Sequence, residues 1–380
     1  MNSFPKKIIR QLIPPSMRYR LRQEFAWIRE QLKRACIWKW KVFKFPLRND
    51  SRFEILFVGR RTRMEDAKSI LGTKDELSTG PESVGRSRQK VLVSEFPIPG
   101  ALRVPVHLDA VIPLGRPIEE VIASYGKSLR KQLRKHREFY RLRRALTDAE
   151  IDRADREMLR PYASARHGGS AIQVAPELVR KYAREFGQLD FVLFGEEIVG
   201  CTVGFENIRE GKRYWVSDRW GCPETVFSDP KRVSEINNIC TYIELDRAIN
   251  DGFDYFDLGV SYARPNEGTL QWKKRRGCEL ETRAFHKFFY VRLPKVGSAQ
   301  FLWDAPLFSV ERHKLALHLG IPDGPSVEEI ASHYREMGFR GLSYVYLHCA
   351  RQPGEPILKN LHDLYANQKH PPIVDILQSA

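Results

Sequence analysis

The sequence predicts a mixed α/β (α+β) protein, a central sheet flanked by helices, on three observations. Short runs rich in Val, Ile, Phe and Tyr, such as 53–58, 91–96 and 189–194, alternate as strands do. Between them lie runs of helical period: Val121, Tyr125, Leu129 and Leu133 stand four apart, and Ile236, Ile239, Cys240, Ile243 and Ile249 mark one face of another. From residue 117 these runs follow one another in the order β-α-α-β-β-β-α-β-α-β, after a leading helix. A chain of 380 residues holds two domains of ordinary size.

Each element has its own signal. Residues 1–50 read as a basic helix to about Trp40, with Leu21, Phe25, Ile28, Leu32 and Cys36 on one face, followed by an alternating Trp/Lys strand over 37–45. Residues 51–116 hold three strand-like runs and a polar stretch, 72–88, that reads as a loop, so this part is expected to form a partial α/β subdomain. A helix is expected over 117–137 and a strand over 139–146. A helix then starts near Asp148, where Thr147 and Glu150 suit a first turn, and a second runs over 176–186. The 189–194 and 198–205 strands flank the turn at Gly195, and a third strand spans 213–220. A long helix covers 233–250, a strand 253–258, a short helix the region of Lys273, and a closing strand 282–293. The remaining stretch, 294–380, shows a helix-like run at 310–319 and a capping box at Ser326 and Glu329. The expected division is thus 1–50, 51–116, 117–293 and 294–380.

Charge is concentrated. The formal net charge is +16, of which 1–50 carries +10 and 127–144 carries +8, leaving −2 for the rest. Two such patches attract anionic surfaces: phospholipid headgroups, RNA, or a phosphorylated carrier. The six cysteines show neither C-x-x-C nor zinc-ligand spacing, so no metal is expected and a reducing compartment is the simplest reading. No apolar stretch reaches the roughly 18 residues of a membrane span. The expectation is a cytoplasmic protein, with two readings open for the Trp- and Lys-rich residues 1–50: peripheral contact with the inner face of the membrane, or a helix and strand docked on the protein's own body.

The most informative stretch runs from Phe253 through Asp257-Leu258-Gly259-Val260-Ser261 to Leu270-Gln271-Trp272-Lys273 and Gly277. It is similar to the "D-x-G-x-S … L-x-x-F-K-x-x-x-G" signature of the FemAB-like branch of the GCN5-related N-acetyltransferase (GNAT) superfamily, with Trp272 in place of Phe. Ser128, Arg130 and Arg134 resemble the "S-x-R-x-x-x-R" helix that precedes the transferase core there. The resemblance covers about 117–293 and implies a GNAT-like mixed sheet whose fourth and fifth strands, here 213–220 and 253–258, splay apart around an acyl donor. It further implies acyl transfer from acetyl-CoA or another acyl-CoA to a small-molecule or carrier-linked amine, such as an amino sugar in envelope polysaccharide or lipid synthesis.

Acyl transfer to an amine needs a base, an oxyanion donor and an acid for the leaving group. Asp218, late in the fourth strand, is the candidate base, with an ion pair to Arg219 or Arg213 as its structural alternative. Asp257 helps to shape the site near the mouth of the cleft by resemblance, and Gly259 and Ser261 after it are candidate donor-binding residues. Lys273 stands where the family has its lysine, as a clamp on phosphate or oxyanion. Tyr262 and Ser261, after the Gly259 turn, are candidate proton donors, Tyr290 is a further one, and His167, near two glycines, is a candidate to face the acceptor. The chain departs from the family's Q/R-x-x-G-x-G/A phosphate turn: 221–232 has no paired glycines, and Lys231 and Arg232 are left to meet a phosphate by charge. That departure keeps two alternatives open: an aminoacyl-tRNA-dependent peptidyltransferase with 127–144 along the tRNA, and a non-catalytic protein that retains the fold.

Overall fold

A computed structural model describes residues 25, 28–33, 35, 40–46, 53–73, 90–168, 174–282, 287–366, 368 and 370–378. The expected helix over 1–24, the expected loop over 74–88 and the side chain of His167 lie outside the described residues. The chain is mixed α/β, with mixed sheets flanked by helices. It divides into two compact units that alternate along the sequence. Among the described residues the first takes Val111–Gly259 and Arg275–Cys278; the second takes the described part of Tyr19–Ala110, then Val260–Lys274 and the described part of Glu279–Ala380.

The first unit carries the sheet that the order of elements predicts. Its strands lie in the order His107–Pro113 (by its end from Val111), Tyr255–Tyr262 (as far as Gly259), Lys212–Gly221, Glu197–Arg209, Gly187–Phe194 and Tyr140–Arg144. The last four are joined antiparallel, whereas Tyr255–Asp257 runs parallel to Tyr214–Val216. Two apolar clusters fill the unit. One sets Ile151, Met158 and Val179 of the helices against Leu189, Phe191 and Val203; the other sets Tyr162, Ile236 and Cys240 against Val192 and Val199. Thr147 and Glu150 form a full capping box at the start of Asp148–Ala154.

The second unit holds two sheets. Trp40–Pro46, Glu54–Arg60, Lys90–Ser94, Phe288–Arg292 and Leu102–Pro105 form one, in that order. Leu307–Glu311, Lys314–Ile321, Tyr344–Cys349 and Ile373–Gln378 form the other, its last three strands parallel. Helices Val327–Met337 and Glu355–Tyr365 connect those strands, the first opened by the expected capping box at Ser326 and Glu329.

Three expected elements are corrected. The helix over 117–137 is two helices, Ile118–Ala123 and Lys127–His136. Ser124 turns its hydroxyl onto the carbonyl of Val121, and Gly126 takes an extended backbone (φ −56°, ψ 143°) whose N–H goes to the carbonyl of Arg275. The helix-like run at 310–319 is a β-hairpin, with Arg312 and His313 both at positive φ (47° and 69°). The closing strand over 282–293 is two short strands, Glu279–Glu281 and Phe288–Arg292, and the latter pairs with Lys90–Ser94 and Leu102–Pro105 of the second unit. Its alternating pattern marks a strand but does not name its neighbours.

Candidate functional site

The parallel contact between the two central strands is short. It covers Tyr255 with Tyr214, Phe256 with Trp215 and Asp257 with Val216, and ends there. The Lys212–Gly221 strand continues, held on its other side by Glu197–Arg209. In that ladder Val203 faces Arg219 while Gly204 faces Ser217, so Asp218 is the extra residue of a β-bulge. A bulge bends its strand and leaves its extra residue outside the ladder. Here it lies two residues beyond the last parallel pair.

Asp218 is exposed, and its carboxylate accepts from Arg219 Nε at 2.7 Å. Asp257 is fully buried (0% exposed). One of its carboxylate oxygens accepts the N–H of Gly259 at 2.7 Å, and the other takes the guanidinium of Arg209. Arg209 in turn lies over the Tyr214 ring at 4.2 Å, and Tyr214 stacks on Tyr255 at 4.7 Å. Gly259 sits at φ +76°, a conformation a side-chain-bearing residue resists, so the glycine is what lets the chain turn back onto the aspartate. Asp257 and Gly259 thus form one rigid corner at the point where the parallel pairing stops.

A second carboxylate escaped the sequence reading. Glu244, on helix Pro230–Asn250, is 1% exposed. It accepts from Trp215 Nε1 at 2.7 Å, from Ser217 Oγ at 2.9 Å and from Thr202 Oγ1 at 3.0 Å. Burial raises its pKa, against the charge of Arg247 and these three donors, which lower it. Gly204 makes room for the group: a Cβ there would stand 2.5 Å from the Trp215 ring and 2.7 Å from Glu244 Oε1. Arg247 lies over the Trp215 ring at 4.5 Å and pairs with buried Asp190. The signal was present in the sequence, since Glu244 continues the four-residue spacing of Ile236 and Cys240 on a buried face. Ser217 is half-buried and adjoins the bulge, so Glu244 is joined to Asp218's strand through the Trp215 indole and the Ser217 hydroxyl.

Lys231 and Arg232 are exposed at the start of helix Pro230–Asn250. Their backbone N–H groups both go to Asp229 Oδ1, at 2.9 and 3.3 Å, and the guanidinium of Arg232 reaches Glu197 at 3.2 Å. The chain's own carboxylate therefore occupies the helix start. A donor pyrophosphate does not fit there in the manner of a glycine-rich turn. By contrast Lys127, Lys131, Arg134 and Lys135 of the neighbouring helix Lys127–His136 are exposed and make no ion pair among the described residues. That helix is tied to Pro230–Asn250 by Gln132 and Asn238 at 2.7 Å and, through Arg137, to the hydroxyl of Tyr242.

The other expected residues belong to the second unit. Lys273 is buried, and its ammonium donates to the carbonyl of Val260, the residue after Gly259, at 3.0 Å. Ser261 is buried, and its hydroxyl has no hydrogen-bond partner among the described residues. Tyr262 stacks on His107 at 4.8 Å and its hydroxyl reaches Asp66 at 3.4 Å; burial raises its pKa. Tyr290 is half-buried on Phe288–Arg292.

No family model and no curated protein sequence matches the chain. Among solved structures it is similar to the L-PGS of Bacillus licheniformis (12% identity, 74% of this chain and 94% of that one, TM-score 0.32). It is also similar to GCN5-related N-acetyltransferases from Sphaerobacter thermophilus (12%, 63% and 71%, TM-score 0.29) and Anabaena variabilis (9%, 74% and 71%, TM-score 0.28). Likenesses of this size leave the function of the chain to its own residues.

Proposed function

We propose that the first unit is an N-acyltransferase, moving an acetyl or other short acyl group from a phosphate-bearing donor to an amine. The observation that carries this is the early end of the parallel pairing, with the bulged Asp218 on one strand and the Asp257–Gly259 corner on the other. In this reading Asp218 takes the proton of the acceptor ammonium, and the freed amine attacks the acyl carbonyl. The main-chain N–H at the bulge supports the oxyanion; the intermediate collapses by breaking the carbon–sulfur or carbon–oxygen bond to the donor, and the leaving thiolate or alkoxide takes the proton that the new amide nitrogen loses. Asp257 touches nothing that reacts; it fixes the corner. In the second unit Lys273 holds the Val260 carbonyl.

The donor remains the acyl-CoA that the resemblance implies, its phosphates assigned to the cations of Lys127–His136 because Asp229 fills the Pro230 helix start. That same row of exposed, unpaired cations favours aminoacyl-tRNA as the second reading, since a row of lysines and arginines suits a polyphosphate backbone. The acceptor amine is proposed as small or carrier-linked.

Calorimetric titration of the protein with acetyl-CoA, and separately with charged tRNA, tests the reading. Micromolar heat from acetyl-CoA alone supports the first donor, and from tRNA alone, weakening steeply with salt, the second. With the donor found, Asp218→Asn should cost about two to four orders of magnitude in turnover at unchanged donor affinity. An Asp218→Asn protein that turns over normally overturns the assignment of the base.

A further inference from the structure

The N-terminal helix of the second unit is mounted with its polar side inward. Phe25, 28–33 and Ala35 are helical. Glu30 pairs with the buried guanidinium of Arg60 and stands 3.9 Å from that of Arg63. Burial pushes its carboxyl pKa up, but the hydrogen bond and charge of Arg60 outweigh this and hold it below the usual value. Arg60 is itself anchored on buried Glu95. At about 3.6 residues per turn, Phe25, Ile28 and Leu32 fall on the side of the helix opposite Glu30. They are 69%, 46% and 66% exposed. An ordinary surface helix does the reverse, burying its apolar stripe and offering charge to water.

We infer that this outward ridge is a docking face for an anionic lipid surface, a property separate from the reaction proposed above. Charge selects the occupant. Residues 25–45 contain six Lys/Arg and one acid, and that acid, Glu30, is consumed inside the protein. Arg29 and Lys33 are exposed on the flank of the ridge and make no ion pair among the described residues. Apolar side chains below the headgroups with cations at phosphate level is the arrangement of an interfacial helix. The strand that follows adds Trp40, which faces Arg60 in register and packs on Phe96 at 4.5 Å, with Phe96 itself 37% exposed. A protein partner with an acidic rim, or a second copy of this chain, would be the competing occupant.

Vesicle flotation of the full chain tests the inference, using phosphatidylcholine alone and phosphatidylcholine with phosphatidylglycerol. The natural protein should float with the anionic vesicles and much less with the neutral ones. Changing Phe25, Ile28 and Leu32 together to Gln keeps helix propensity and should lower partition by about a hundredfold. A circular-dichroism melt should show the variant as stable as the parent. Arg29→Glu with Lys33→Glu should abolish the preference for anionic vesicles without removing the ridge. Equal flotation of parent and triple Gln variant, or no flotation of the parent, overturns the inference. So does a parent dimer that the triple variant dissociates in sedimentation, since the ridge would then be a contact between copies.

Discussion

Replacing Glu244 separates two effects that are easily confused: the loss of an acceptor and the loss of a buried charge. Glu244→Leu removes the acceptor. It leaves the indole N–H of Trp215 and the hydroxyl of Thr202 buried without their partner, while half-buried Ser217 turns to water. Two orphaned buried donors cost about 1–3 kcal/mol each, so a loss of about 2–6 kcal/mol is expected at the acid end of the range, narrowing as pH rises. Glu244→Gln keeps the geometry: the amide oxygen serves Trp215 and the amide nitrogen serves the two hydroxyls, which accept as readily as they donate. The sign of the pH effect follows from burial. The folded-state pKa of Glu244 is raised, so its contribution is complete below the unfolded-state value and is lost as pH rises through the folded one. Denaturant midpoints from pH 5 to pH 8 should therefore move in favour of the Gln variant as pH rises, and Gln should be the more stable protein at pH 8. If Gln and Leu lose stability equally, or the gap between Gln and the parent is the same at both ends of the range, burial does not oppose this carboxylate's ionisation and the reasoning fails.

Two further outcomes follow from neighbouring features. Gly259→Ala places a Cβ at φ +76° where no atom lies within 4 Å, so the cost is backbone strain alone, about 1–2 kcal/mol in a thermal or urea melt. A loss several times larger would mean that the corner is sterically closed. Buried His318 is hydrogen-bonded to Ser309 at 2.8 Å and to His348 at 3.0 Å, and burial lowers the pKa of His318 to about 3 and of His348 to about 4. Both are neutral in the fold, so their stabilisation is present above the unfolded-state value and is lost as pH falls. His318→Gln should flatten the fall in urea midpoint between pH 7 and pH 4, and an unchanged fall would place acid sensitivity elsewhere.

Local chemistry was legible in the sequence where one segment decides its own shape. The turn at Gly195 (φ +59°), the capping boxes at Thr147 and Ser326 and the Ile236–Ile239–Cys240 face of the long helix are all set within a few residues. The break at Ser124–Gly126 was not, because the partner of the Gly126 N–H is the carbonyl of Arg275, far along the chain. The Arg312–His313 turn was missed because hairpin turns with both central residues at positive φ favour Asn and Gly, and neither is present. Of the candidate site, the Asp257–Gly259 corner was visible as a motif, and Asp218 as a charge late in a strand. The bulge that removes Asp218 from its ladder depends on register between two strands, which no single strand encodes. Glu244 was hidden by its residue type: a glutamate on a helix reads as solvated until the three donors around it are seen.

The alternation of the two units along the chain sets the order in which they can be completed. The first unit has all its described parts once residue 278 has been made, whereas the second uses strands from Trp40–Pro46 to Ile373–Gln378 and includes Val260–Lys274 in between. During synthesis, at about 5–20 residues per second, strands such as Glu54–Arg60 wait about 10–50 seconds for Phe288–Arg292 to close their sheet. Through that interval their edges are open to other nascent chains, so slow production at low temperature should favour recovery of the intact protein over aggregates.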